Sequence, residues 1–364
     1  MRYVPVNGSA STHLDHAGAR ERPQSQRTAY LDAARIVAAL FIFTYHFSWD
    51  YQTVLGPAKV MTLGLTPVWR IAHELASWGI ALFIVISGFA LATSMSRRSQ
   101  HYGVWVNRRL RRLLIPFWIV AVPYLCIAFA THEWTLSDSW KLPIWLSGFG
   151  AVSPATYLPP SQAWWYVSLA LQLAVLAPAL WFILETRGPI LTAALCAAAT
   201  LSWLLWVRSL PPQWHYLTQG AAPARLIEFG LGMTGAWYVS RQPTRDTATR
   251  LLCAASVLVA SSLVAQKLGA RTTAIAIATI ALLMLASCLA GGFKAQTPLT
   301  VAAIAEATYV FYLSHPPVSR ASMEIANWFG TSQPWLLLLT CFAAACVVAG
   351  MFWWLYRNVM ARIG

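Results

Sequence analysis

Ten stretches of this chain are apolar for long enough to cross a hydrocarbon core of about 30 Å: 33–50, 76–96, 113–131, 163–184, 189–207, 225–240, 251–266, 272–291, 299–318 and 334–356. The run 225–240 is the weakest of them. In lipid an unsatisfied backbone N–H or C=O has no water to turn to, so such runs must be helices or the strands of a closed barrel. The short alternating segments of a barrel are missing here, which leaves helices. Composition agrees: of 364 residues, 58% are hydrophobic and only 10% charged, which a soluble domain of this size would not tolerate on its surface. The expectation is an all-α, polytopic membrane protein of about ten transmembrane helices.

Orientation follows from the basic residues in the connections. With the amino terminus inside, the cytoplasmic set is Arg2, Arg20, Arg22, Arg27, Arg97, Arg98, Arg108, Arg109, Arg111, Arg112, Arg187, Arg241, Arg245, Arg250, Lys294, Arg357 and Arg362. Those 17, with Arg35 at the start of the first span, leave 8 of the 26 Lys and Arg residues for the other side. Both termini are therefore expected in the cytoplasm. The same bias accounts for the net charge of +14 without nucleic acid, because basic loops are retained beside anionic lipid.

Residues 1–28 are polar and rich in small side chains, with no apolar core of the kind a secretory signal needs. They read as a disordered cytosolic tail, and 29–364 as a single transmembrane domain. Cys126, Cys196, Cys253, Cys288, Cys341 and Cys346 all fall in predicted spans without metal-type spacing, and read as buried small apolar residues rather than metal ligands.

Ionisable side chains within or beside the spans are the informative minority, since each is costly in a bilayer and usually faces a wet or paired interior. The first span carries Arg35 and His46. An offset of eleven residues is just over three helical turns, so the two share a face within about 20° and stand about 16 Å apart along the axis. Sorted by depth, Asp32, Arg35, Arg109 and Arg112 lie toward the cytoplasm, while His46, Asp50, His73, Glu74, Arg225, Glu228 and His315 lie toward the outside. The inner group can hold a polyphosphate, and the outer group has the imidazoles and carboxylates that proton transfer needs.

Each of these residues also has a structural reading. Arg35 could anchor the helix at the interface, and the Arg97–Arg112 block could serve topology alone. His315 precedes two prolines and could cap or kink its helix. Arg225 and Glu228 have the i,i+3 spacing of an intrahelical ion pair, which is at least as good an account of them as substrate contact. Asp50, one turn beyond His46, could orient the imidazole. Trp164 and Trp165 could stack a sugar face, although an interfacial aromatic belt is the default account of such tryptophans. Ser87 suits a helix crossing better than a nucleophile.

Six segments together resemble the acyltransferase-3 family of membrane proteins: "LDAARIVAALFIFTYHF", with its arginine, ten residues, histidine; "FIVISGF" at 83–89; "RRLRRLLIPFW" at 108–118; "WWYVSLALQ" at 164–172; "RLIEFGLG" at 225–232; and "TYVFYLSHPPV" at 308–318. They occur in the family's order across residues 28 to 358. One departure is visible: the family's usual carboxylate after the "WFLS"-like segment is absent, since Ala170 and Leu171 precede Gln172. Length also resembles bacterial exopolysaccharide acetyltransferases of the xanthan type.

The resemblance implies transfer of an acyl group, here acetyl, from cytosolic acetyl-CoA to a sugar hydroxyl of a lipid-linked oligosaccharide or surface polysaccharide outside a bacterial inner membrane. It places Arg35, Arg109 and Arg112 on the phosphates of the donor. His46, with His315 and Asp50, then acts at the thioester, as general base or as an acyl carrier. Trp165, Tyr166, Arg225 and Glu228 would contact the acceptor. A secondary transporter or flippase for a lipid-linked sugar is the alternative, although no inverted repeat of broken helices is apparent.

Overall fold

A backbone taken out of water can bond only to itself, and every described element is helical. The computed structural model describes residues 29–56, 66–96, 101–131, 136–150, 156, 162–241 and 298–363. Within them run α1 (Ala29–Leu55), α2 (Thr66–Ser96), α3 (Tyr102–Ala130), the short α4 (Leu142–Leu146), α5 (Trp165–Arg187), α6 (Pro189–Arg208), the single turn α7 (Leu217–Gly220), α8 (Leu226–Arg241), α9 (Leu299–Trp328) and α10 (Pro334–Ile363), joined in places by 3-10 turns.

Among the described residues, six helices are long and apolar enough to cross a membrane: Leu31–Leu55, Val68–Ser96, Tyr102–Ala130, Trp165–Arg187, Pro189–Arg208 and Pro334–Arg362. The multi-pass architecture therefore stands on six spans. Two further helices coincide with expected spans. One is α8, of 16 residues, and the other α9, whose 30 residues include Glu306, His315, Arg320 and Glu324. The expected spans 251–266 and 272–291, and the expected tail 1–28, lie outside the described residues.

Two boundaries differ from the hydropathy reading. Helix α2 begins at Thr66 rather than 76, and α3 at Tyr102 rather than 113. An apolar window stops at the first charges, whereas the hydrogen-bond ladder continues past them. As a result Arg108, Arg109, Arg111 and Arg112 stand on a helix, not in a connection.

Small residues set the helix contacts. A Cβ on Gly79 of α2 would lie 2.8 Å from the Ala38 carbonyl of α1, so the two antiparallel helices touch at backbone distance. Helices α2 and α8 cross more closely still: a Cβ on Gly88 would meet the Phe229 carbonyl at 2.2 Å, and one on Gly232 the Val85 carbonyl at 2.1 Å. This is the small-residue crossing that lets bilayer helices gain dispersion contacts without a hydrophobic drive. Helices α1 and α9 lie side by side, joined by Phe43 against Phe311 and, one turn on, His46 against His315.

Helix α9 carries Pro316 and Pro317 in its interior. Proline has no N–H, so Pro317 leaves the Leu313 carbonyl without its helical donor. The indole Nε1–H of Trp164 takes that place at 3.0 Å. Beside it, the Tyr312 hydroxyl donates to the Ala163 carbonyl. The segment entering α5 is thereby tied to α9 one turn from His315.

Candidate active site

Two parallel helices with matched side chains build the centre of the site. His46 of α1 and His315 of α9 meet through Nδ1 and Nε2 at 2.8 Å. The other nitrogen of His315, Nδ1, lies 3.0 Å from the Phe311 carbonyl oxygen. A carbonyl can only accept, so His315 Nδ1 carries a proton. In the neutral pair its Nε2 is then an acceptor and His46 Nδ1–H the donor. That leaves the lone pair of His46 on Nε2. His315 is fully buried, packed edge-on by Phe43 and stacked by Phe311, with both ring nitrogens hydrogen-bonded.

His46 is half-buried and lines a cavity of about 710 Å³, whereas His315 stands behind it and does not. The volume is in the range of small-molecule sites. At one end the walls are Arg35, Arg109, Arg112 and Arg357, with Glu306; at the other they are His46, Tyr45, Trp49 and His73. Tyr45 links the two imidazoles there, its ring 5.3 Å from that of His46 and 5.2 Å from that of His73. Between the ends lies an aromatic waist of Phe83, Tyr166 and Tyr312, with ring separations of 5.5–6.5 Å. Arg35 and His46 thus open into one interior, as their shared helix face requires.

The basic end is held from several helices. Arg35 is paired with Asp32 at 3.0 Å and stays about one-third exposed. Arg109 is half-buried with no partner for its Nε, and its neighbours are Tyr166, Tyr309, Arg112 and Arg35. The Tyr309 hydroxyl donates to the Leu113 carbonyl at 3.1 Å, which docks α9 on α3 beside these arginines. Several guanidiniums concentrated around one space favour a ligand of high negative charge.

Other residues singled out in the sequence fall elsewhere. Trp165 and Tyr166 do line the cavity, but the phenol of Tyr166 points to Ser87, at 3.4 Å, and faces Arg109 and Arg35. It stands at the waist and faces the basic end, not the histidine end where an acceptor sugar was expected. Arg225 and Glu228 bond to each other at 2.7 Å, are both buried, and do not line the cavity. Asp50 is not at the ring of His46, whose Nδ1 is bonded to His315; it lies near Ser319 and Arg320, with Oδ2 unpartnered. Gln172 acts as a clamp: its Nε2 donates to Ser168 Oγ and the Gly220 carbonyl, each at 3.2 Å, while its Oε1 accepts from the Ala222 N–H at 2.9 Å. A carboxylate could not make the two donations.

Glu306, Tyr309, Tyr356, Arg357 and Gln219 also line the cavity. Only Arg357 had drawn notice in the sequence, as a topology charge. No local pattern marks a residue as facing a space lined from seven helices.

A family model described as an acyltransferase domain matches residues 28–354. No curated protein and no solved structure matches the chain.

Proposed function

The chain belongs to the acyltransferase-3 family of membrane acyltransferases, and from that premise we propose that it carries an acetyl group from acetyl-CoA to a sugar hydroxyl of a lipid-linked oligosaccharide or nascent surface polysaccharide, across a bacterial plasma membrane. The observation that carries this reading is one cavity with four guanidiniums at one end and the available His46 nitrogen at the other. A CoA ester has the matching layout: phosphates at one end and a thioester about 20 Å away, comparable with the 16 Å or so that eleven helical residues span.

In this reading Arg35, Arg109 and Arg112 hold phosphates, the pantetheine arm passes the aromatic waist, and the thioester reaches His46. The acceptor hydroxyl enters beside Tyr45, Trp49 and His73 and gives its proton to His46 Nε2. Its oxygen attacks the thioester carbon, the C–S bond breaks, and the proton passes to the departing sulfur, so that CoA leaves as the thiol. His315 stabilises the transient imidazolium by accepting from Nδ1–H, the part a carboxylate plays in other dyads. An acyl group carried on Nε2 would use the same lone pair. Incubation with donor alone separates the two routes, because only the second leaves label on the protein.

The test is direct. Purified protein in detergent should bind CoA and slowly release or transfer acetyl from acetyl-CoA. Absence of binding at every CoA concentration would overturn the reading and favour a transporter. For the acceptor, comparison of surface glycans from wild-type and deletion strains should reveal a lost ester.

A further inference from the structure

The basic end of the cavity has a wall that neither the Arg35 spacing nor the arginine run of α3 announces, and it comes from the last helix. Trp353, Tyr356, Arg357 and Met360 of α10 all line the cavity, at spacings of three and four residues that place them on one helical face. The Arg357 guanidinium lies over the Trp353 indole, 5.1 Å from the ring centroid. Trp353 is half-buried: part of the ring packs on the core, and part faces the space.

A guanidinium held near an indole by a cation–π contact has part of its freedom already restricted when it binds a phosphate, and its fork of donors suits that group. Indole beside it offers a flat apolar surface. Together they match a ligand that carries a phosphate and a heterocyclic base close together. The charge balance points the same way. Among the described residues the lining carries four arginines against one carboxylate, Glu306. Asp32 offsets part of that excess through its pair with Arg35, and what remains favours an anionic ligand.

We infer that the Trp353–Arg357 pair on α10 is the docking site for the nucleotide end of the acyl donor, with the base against the indole and the ribose phosphate on Arg357. Arg35, Arg109 and Arg112 are then left for the pyrophosphate nearer the pantetheine arm. The inference rests on the acyl-CoA reading above and adds to it a requirement: the protein selects a donor that bears its nucleotide over the same acyl group on a shorter arm.

A ladder of ligands tests it by calorimetry on the whole purified protein: pantetheine, 4′-phosphopantetheine, dephospho-CoA, CoA and adenosine 3′,5′-bisphosphate. Trp353→Leu should weaken CoA about ten-fold, the scale of one base stacked on one aromatic ring, while 4′-phosphopantetheine affinity stays at the wild-type value. Arg357→Ala should narrow the gap between CoA and dephospho-CoA. Adenosine 3′,5′-bisphosphate should displace CoA from the wild type and lose this ability in both variants. Arg357 is exposed, so its variant remains informative should Trp353→Leu unfold. Equal weakening of CoA and 4′-phosphopantetheine, or no change in either, overturns the nucleotide site while leaving acyl-CoA binding in place. A wild type that binds nothing on the ladder overturns both.

Discussion

The proposed chemistry turns on one lone pair, at Nε2 of His46, and its availability is fixed by a ring whose centroid is 5.0 Å away. His46→Ala removes the base but touches no arginine. Transfer should fall by about 10²–10⁴-fold, the usual worth of a positioned acid–base group, while CoA affinity measured by calorimetry stays near the wild-type value. His315→Ala frees His46 to take either tautomer, whereas His315→Gln can still place an acceptor oxygen near Nδ1–H. Turnover should therefore drop in both and recover partly in the glutamine variant; equal loss in the two would mean that His315 serves packing alone. Arg35→Ala should weaken CoA more than pantetheine, which lacks phosphates, and Arg35→Lys should restore part of the binding, since it keeps the charge and loses the planar fork.

At the scale of elements, the α2–α8 crossing leaves no space for a side chain. Gly88→Ala would set a methyl group 2.2 Å from the Phe229 carbonyl oxygen, so the helices must separate. A cost of about 1–3 kcal/mol is expected, the range for overpacking a tight contact, read as a lower thermal midpoint in detergent. Gly235→Ala is the control, since its nearest neighbour would stand at 3.8 Å. The Arg225–Glu228 pair at the start of α8 makes a second test. Glu228→Ala alone strands a buried guanidinium and should cost about 3–5 kcal/mol, while replacing both partners with apolar residues of similar volume should recover most of it. A double variant as unstable as the single one would argue that the pair does more than satisfy itself.

These elements also mark where sequence reasoning reached and where it stopped. The helices themselves and the common face of Arg35 and His46 were legible, because hydropathy and the 3.6-residue period are local. The acyltransferase family was legible too, from six ordered segments. The partner of His46 was not. Asp50, one turn away, was the nearest candidate, but on this helix it reaches Ser319 and Arg320 instead. The turn it was meant to fill is occupied by a histidine 269 residues further on. Tyr166 was assigned to the acceptor from its aromatic neighbours, yet its depth depends on where α5 begins relative to α3, which hydropathy does not report.

For the molecule as a whole, the expected orientation has its own test. In a variant without the native cysteines, Ser99→Cys in the basic connection between α2 and α3 should resist a membrane-impermeant thiol reagent in intact cells, and Ser137→Cys should react. The reverse pattern would invert the sides and put the arginine end of the cavity outside, away from any cytosolic donor.

The distance along the chain between His46 and His315 bears on how the protein is made. At about 5–20 residues per second, the 269 residues that separate them occupy the ribosome for roughly 13–54 s. Through that interval α1 is already in the bilayer with an imidazole that nothing holds in one tautomer. An aborted or clipped product ending before α9 would also lack α10, and with it Arg357 and Trp353. On the proposed chemistry, nascent and truncated chains are inert toward the cell's thioester pool, and competence arrives only as the final helices insert.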